Sequence, residues 1–161
     1  MNQQTWIKGM QLSLRAAVGA SLSLAVAYLF GLEYPLYAFI AAVIVTDLVP
    51  SQTRQLGLKR IVATVVGAVC GAVLGPLLPS DPWAIGLGVL AAMLLSNLLH
   101  ADDGAKVAGY ICGIVLLDHG AEPWSYAFYR LVETMLGIVV AVSISLVPKL
   151  IRVDEPGRQG P

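Results

Sequence analysis

An arginine, a threonine and a glycine recur in the same order and spacing in the two halves of this sequence. Seventy residues separate the two sets, which are Arg60, Thr64 and Gly67, then Arg130, Thr134 and Gly137. In a helix, residues at i, i+4 and i+7 share one face. A guanidinium pairs with a carboxylate through two parallel hydrogen bonds, and a hydroxyl supplies a further donor. The pattern therefore predicts two related stripes suited to an anion, and we interpret it as an internal repeat.

Three carboxylates accompany the repeat and are candidates for proton coupling. Glu133 follows Arg130 by three residues, so the two side chains can pair across one helical turn, or Glu133 can carry a proton. The alternative for this pair is an interfacial salt bridge that reaches into the lipid headgroups. Asp47 and Asp118 end the two apolar runs that precede the arginines. Terminal aspartates are also ordinary turn formers, and we favour that role for both.

A stripe of small residues continues along each arginine-led segment. The members are Ala63, Gly67, Gly71 and Gly75 in the first segment, and Gly137, Ala141 and Ser145 in the second. Small residues at every fourth position let membrane helices approach each other closely. We therefore interpret the four glycines as helix-packing residues.

The composition is that of an integral membrane protein. Hydrophobic residues make up 57% of the chain, charged residues only 12%, and the mean hydropathy is +0.76. In soluble domains charged residues reach about a quarter. The formal net charge is zero, which gives no basis for nucleic-acid binding. Cys70 and Cys112 lie in apolar runs without a second Cys or a His at ligand spacing, so neither a metal nor another cofactor is expected.

Six apolar segments are long enough or well enough bounded to be predicted as membrane helices. They cover residues 12–32, 36–49, 58–78, 83–99, 105–117 and 126–147. Together they form a membrane domain over residues 12–148. Residues 1–11 are predicted as an interfacial segment, residues 50–57 as a polar loop, and residues 149–161 as a cytoplasmic tail. The fold class predicted is all-α.

The distribution of lysine and arginine predicts the orientation of the chain. An even number of spans places both termini on one side. With the termini in the cytoplasm, every lysine and arginine except Arg130 falls on the inside, as the positive-inside rule requires. We therefore expect a multi-pass protein of the inner (plasma) membrane.

The two halves are predicted to be inverted repeats. Repeat one covers residues 12–79 and repeat two covers residues 82–148, and each contains three spans, so the second half has the opposite orientation. The middle span of each half is short, which in secondary transporters points to the substrate site. In this arrangement Arg60 is expected near the inner mouth and Arg130 near the outer one.

The order of these features resembles a known family. A pair of apolar spans and a polar turn lead to Arg-Ile-Val-x-Thr-x-x-Gly-x-x-x-Gly, and a later segment reads Arg-Leu-Val-Glu-Thr-x-x-Gly. This resembles the membrane domain of the fusaric acid resistance and aromatic acid exporter family (FUSC) over about residues 12–148. Plant aluminium-activated malate channels are more distant relatives. The resemblance implies export of aromatic or other organic carboxylates, with the Arg-Thr-Gly stripes near the pathway.

The resemblance also implies an assembly. Larger members resemble two such six-span units joined to a soluble cytoplasmic part, so a homodimer, or another homo-oligomer, of this chain is expected to supply the second unit. The partners expected are membrane lipid and a small organic anion, and whether a periplasmic adaptor takes part stays open.

Two functions remain in competition at this point. The first is a transporter or channel that exports organic anions, aromatic carboxylates above all, through an oligomeric helix bundle. The second is a non-transporting membrane assembly or accessory subunit, in which the small-residue stripes serve packing alone. An enzyme is not expected, because no nucleophile and base cluster at one depth.

Overall fold

The computed structural model describes residues 3–79, 81–118 and 122–147. These residues form six α-helices and no strand. The helices are α1 (Gln3–Leu29), α2 (Leu36–Val45), α3 (Pro50–Leu74), α4 (Pro82–Leu98), α5 (Ala105–Asp118) and α6 (Pro123–Ser145). A single turn of 3-10 helix, Asp102–Gly104, leads into α5. The all-α class predicted from the sequence is confirmed.

Three of these helices are long and apolar enough to cross a membrane. They are α1, α3 and α6, with 25, 25 and 23 residues in the apolar stretch. A span needs about 20 residues to cross the hydrocarbon core. Helices α2 and α4 are shorter apolar helices of 10 and 17 residues, and α5 has 14 residues. The chain is therefore a multi-pass membrane protein.

Proline marks the start of three helices. Pro50, Pro82 and Pro123 stand at the first position of α3, α4 and α6. At that position the missing N–H has no helical partner in any case, and the fixed φ suits the helix. Helix α4 also has a side-chain cap, because the Asp81 carboxylate accepts a hydrogen bond from the backbone N–H of Ala84 at 2.7 Å.

The polar loop predicted over residues 50–57 is wrong, since this stretch forms the first two turns of α3. Pro50 starts the helix, and Thr53 is fully buried, with its hydroxyl accepting the backbone N–H of Asp47 at 3.1 Å. The polar sequence is therefore tied to the preceding turn. As a result Arg60 lies about 15 Å along α3 from its start, at 1.5 Å per residue.

Helices α3 and α6, which carry the repeated motif, pack against each other at the centre of the bundle. Helix α3 also packs on α4 and α5, while α6 also packs on α1 and α2. Small side chains fill both flanking contacts. The buried residues are Ala63, Ala68, Ala108 and Cys112 between α3 and α5, and Ala42, Val45, Ile138 and Ala141 between α2 and α6.

Two glycines permit the closest helix contacts. A Cβ at Gly67 of α3 would overlap the carbonyl oxygen of Ala108 in α5. A Cβ at Gly137 of α6 would overlap the carbonyl oxygen of Ala38 in α2. At both positions the neighbouring atom is backbone, which cannot move aside without displacing a helix. These glycines therefore set the distance between each central helix and its short neighbour.

Large apolar side chains cover the outside of the bundle. Every one of the six helices exposes some of them, and Trp83 and Trp124, near the first residues of α4 and α6, are 86% and 60% exposed. An apolar exterior of this kind is suited to lipid, and tryptophan at a helix end is typical of the membrane interface.

Candidate anion site between the central helices

The structure brings the two repeated arginines to one tyrosine. Arg60 and Arg130 are only 3% and 1% exposed. The Nη2 atom of Arg60 donates a hydrogen bond to the Tyr110 hydroxyl at 3.0 Å. The Cζ atom of Arg130 lies 5.4 Å from the centroid of the same ring and 3.2 Å from that of Tyr37. Tyr110 therefore contacts both arginines of the repeat.

Both guanidinium groups keep unused hydrogen-bond donors. The Nε and Nη1 atoms of Arg60 and of Arg130 are buried and have no hydrogen-bond partner. Neither arginine forms an ion pair with a carboxylate that the structure describes. A buried charge without a partner is costly, and such groups in native proteins are normally paired or functional. The two arginines therefore form a buried, positively charged centre with unused donors.

The ion pair predicted between Arg130 and Glu133 is not formed. Glu133 is fully buried, its Oε1 accepts the backbone N–H of Tyr34 at 2.6 Å, and its Oε2 has no partner. The ring of Tyr37 covers the face of the Arg130 guanidinium. Contacts from the α1–α2 turn and from α2 therefore replace the local pair. The alternative of an interfacial salt bridge is also wrong, because protein encloses both side chains.

The two threonines of the repeat lie one turn beyond the arginines and are buried. Thr64 is 0% exposed and Thr134 is 1% exposed. The hydroxyl of Thr64 has no hydrogen-bond partner, so it does not bond to the carbonyl oxygen one turn earlier in α3. It therefore remains available next to Arg60 as a donor to an anion.

A cluster of tyrosines packs beside Arg130. The rings of Tyr34, Tyr37 and Tyr126 pack with centroids 5.6 to 6.2 Å apart. The Tyr126 hydroxyl donates a hydrogen bond to the Tyr37 hydroxyl at 3.1 Å. Burial and the carboxylate of Glu33 raise the pKa of the Tyr34 phenol, so it stays protonated at neutral pH. Arg130 thus lies in a largely aromatic environment.

Sequence reasoning missed these tyrosines. The signal that could have found them is position, because Tyr37 and Tyr110 lie within the two short spans, the segments already singled out as pointers to the site. An aromatic ring is a common partner for a buried arginine. A search of the short spans for such rings would have identified both residues.

Of the two aspartates that are candidates for proton coupling, the structure describes the side chain of only one, Asp47. The Asp47 carboxylate accepts the backbone N–H of Val49 at 2.9 Å in the turn between α2 and α3. This is the contact of a turn-forming aspartate. The side chain of Asp118 lies outside the described residues.

A small cavity of about 30 Å³ reaches Arg60 from the side of the 3-10 turn. Its polar lining consists of Lys59, Arg60 and Asp103, and Lys59 and Asp103 form an ion pair with an N–O distance of 2.5 Å. Its apolar lining includes Leu56 and Val107. Arg60 therefore lines a small cavity together with a second cation, Lys59.

Comparisons with known proteins agree with a transport function. The model of "Aromatic acid exporter family member 1" matches residues 9–147. The proteins named "Uncharacterized transporter YdhK" from Escherichia coli K12 and from Escherichia coli O157:H7 are 25% identical to this chain over 141 residues. The match covers 79% of this chain and 21% of each relative, so the chain spans about a fifth of their length. No solved structure matches it.

The family match extends over most of the chain and includes all six described helices except the first turns of α1. It also includes both arginines and the tyrosines around them. The chain is a multi-pass membrane protein that belongs to the aromatic acid exporter family.

Proposed function

We propose that this protein exports organic anions, with aromatic carboxylates as the main substrates, along a path between α3 and α6. The observation that carries the proposal is the pair of buried arginines, Arg60 and Arg130, that keep unused N–H donors and have no described carboxylate partner. A carboxylate supplies both the negative charge and the acceptors that these groups lack. Thr64 and Thr134 add hydroxyls on the same helix faces.

The surroundings of Arg130 support an aromatic substrate. Tyr37 and Tyr110 present their rings to the guanidinium, and Tyr126 packs against Tyr37. A planar aromatic acid carries its charge at one end and an apolar ring at the other. Its carboxylate suits the arginine, while its ring suits an edge-to-face or offset contact with a tyrosine.

Glu133 is the carboxylate that we propose for proton coupling. It is fully buried one turn from Arg130, and its Oε2 has no hydrogen-bond partner. An ionised Glu133 repels an anion at Arg130, whereas a protonated one does not. The Asp47 carboxylate already accepts a hydrogen bond within its turn, so Asp47 is the weaker candidate. Asp118 remains a candidate on its sequence position alone.

We further propose that all six helices span the membrane as two inverted repeats with both termini in the cytoplasm of the cell and the protein in the inner membrane. Equivalent contacts, offset by seventy residues, support this. Gly67 meets Ala108, and Gly137 meets Ala38. The packing order is equivalent too, because α5 lies on α3 as α2 lies on α6.

A homodimer in lipid completes the proposal, as the family resemblance implies.

An accessory subunit that carries nothing would have no need of unpaired arginines inside the bundle. Arg130 and Glu133 would then be expected at the headgroups, whereas they are 1% and 0% exposed. The enclosed positions favour transport.

Efflux from proteoliposomes tests the function. Vesicles loaded with a hydroxybenzoate should release it only when they contain the protein, and Arg60→Ala and Arg130→Ala should each lower the rate about tenfold or more, since each removes a charge-assisted contact. Arg54→Ala is the matched control, because Arg54 lies on α3 but is exposed. Release no faster than from empty vesicles, for several carboxylates and inorganic anions, would contradict the proposal.

A further inference from the structure

Tyr110 is the residue of α5 that contacts both arginines of the site. Its hydroxyl accepts a hydrogen bond from Arg60, and its ring lies 5.4 Å from the Cζ atom of Arg130. One phenol thus contacts both guanidinium groups.

Of the two repeats, only the second has a tyrosine at this position. Seventy residues before Tyr110, at the equivalent position of α2, the sequence has Ile40. An isoleucine has no acceptor for a guanidinium. The two arginines are equivalent in the repeat, but the residue between them is not, so Tyr110 cannot be explained as a consequence of the repeat.

The side chain of Tyr110 has room to move while its backbone does not. The residue is 37% exposed, although both arginines are almost completely buried. Of the two residues that precede it, Ala108 meets the backbone of α3 at Gly67, and a Cβ at Gly109 would lie 2.9 Å from Met93 of α4. Helix α5 is therefore held between two neighbours, and rotation of the phenol is the motion that remains.

We infer that Tyr110 divides the pathway into an inner anion position at Arg60 and an outer position at Arg130, and that its displacement decides whether an anion passes. This inference rests on the proposed function. An anion that binds Arg60 competes with the Tyr110 hydroxyl for the Nη2 donor. Release of the phenol frees its ring to turn away, and the path to Arg130 opens.

The first test removes the hydroxyl and keeps the ring. In Tyr110→Phe, an anion at Arg60 no longer competes with a phenol oxygen. The half-saturating concentration of hydroxybenzoate on the inner side should fall about ten- to a hundredfold, the range expected from the loss of one hydrogen bond to a charged group. The corresponding value on the outer side should stay unchanged. Equal values for the variant and the wild type on both sides would overturn the inference.

The second test removes the ring. Tyr110→Ala should give hydroxybenzoate flux that rises in proportion to concentration instead of saturating, and acetate and chloride should pass as well. Tyr129→Ala is the matched control, because Tyr129 is also 37% exposed and directly precedes Arg130, but its ring packs on Phe128. The control should keep saturable flux. A single symmetric peak on size exclusion shows that each variant is folded, and if the alanine variant fails this check, Tyr110→Phe decides.

The outcomes separate the two proposals. Flux that requires Arg130 but remains saturable and selective in Tyr110→Ala would overturn the role of Tyr110 and leave the transport function standing. The absence of flux in the wild type and in every variant would overturn both. Unsaturable flux in Tyr129→Ala as well as in Tyr110→Ala would also count against a specific role of Tyr110.

Discussion

The guanidinium of Arg130 lies over the ring of Tyr37, with 3.2 Å between its Cζ atom and the ring centroid. An aromatic ring therefore takes the place in which a carboxylate would be expected. The contact favours the positive charge without neutralising it, because the ring offers only the electron density of its face. The charge of Arg130 thus stays available to an anion that approaches in the plane of the guanidinium.

Replacing Tyr37 tests this contact. Tyr37→Leu removes the cation–π interaction and should lower the free energy of unfolding by about 2 kcal/mol, the value for a desolvated pair. Tyr37→Phe keeps the ring and should cost about half as much, through loss of the bond from Tyr126. Thermal unfolding in detergent measures both, with Tyr28→Leu as the control, because Tyr28 is 66% exposed on α1. Equal losses in Tyr37→Leu and Tyr28→Leu would contradict the prediction.

Glu133→Gln should remove the response of transport to a pH gradient. Glutamine keeps a carbonyl oxygen that can accept the Tyr34 N–H, so the fold is preserved, but it cannot gain or lose a proton. Hydroxybenzoate flux in wild-type vesicles should change when a pH gradient is imposed, and flux in the variant should not. Glu33→Gln, which changes an exposed carboxylate next to Tyr34, should behave as the wild type. A gradient response that survives in Glu133→Gln would exclude this carboxylate as the proton carrier.

Alanine at the close-contact glycines should destabilise the protein even though alanine favours a helix by about 1 kcal/mol over glycine. In Gly67→Ala and Gly137→Ala the new methyl group overlaps a carbonyl oxygen of the neighbouring helix. Gly86→Ala is the matched control, since a Cβ there has no atom within 4 Å. We expect a lower midpoint of thermal unfolding for the first two variants and an equal or higher one for the third. The same midpoint in all three would show that the helices can separate freely.

Sequence alone identified the arginines because the repeat placed them in equivalent apolar contexts, and an arginine in such a context is rarely without a role. The residues that contact these arginines could not be predicted in the same way. Tyr110 lies fifty residues from Arg60, and its contact depends on how α3 and α5 pack. The spacing of Arg130 and Glu133 predicted a pair, but a residue ninety-nine positions away takes the carboxylate. Local spacing states which contacts are within reach, and packing decides which of them form.

The start of α3 shows a similar limit on predicting the fold from the sequence. A polar stretch ending in a glycine, residues 50–57, reads as a loop between spans. In the structure Thr53 and Gly57 are buried, and a Cβ at Gly57 would lie 2.7 Å from Ile138 of α6. The polar residues between them face outward. Hydropathy cannot distinguish a helix that continues beyond the apolar core from a loop, because both are polar in composition.

Arg15 joins α1 to the carboxyl ends of α2 and α6, and its replacement gives the last prediction. It is 6% exposed on α1, and its two Nη atoms donate to the carbonyl oxygens of Leu48 and Val147, each at 3.2 Å. These carbonyls follow the ends of α2 and α6, where no helical N–H can reach them. Arg15→Met keeps most of the side-chain volume but leaves both carbonyls without this donor, and hydrogen bonds to charged groups contribute about 1.5–3 kcal/mol each.

We therefore expect Arg15→Met to lower the free energy of unfolding by about 3 kcal/mol and to increase hydrogen exchange in residues 46–49 more than in α4. Lys8→Met, an exposed cation on the same helix, is the control and should change neither quantity. Together, the two measurements distinguish a structural role of the Arg15 hydrogen bonds from a contribution of its charge to membrane orientation. If Arg15 served only the positive-inside rule, both variants would remove one cytoplasmic charge and behave alike.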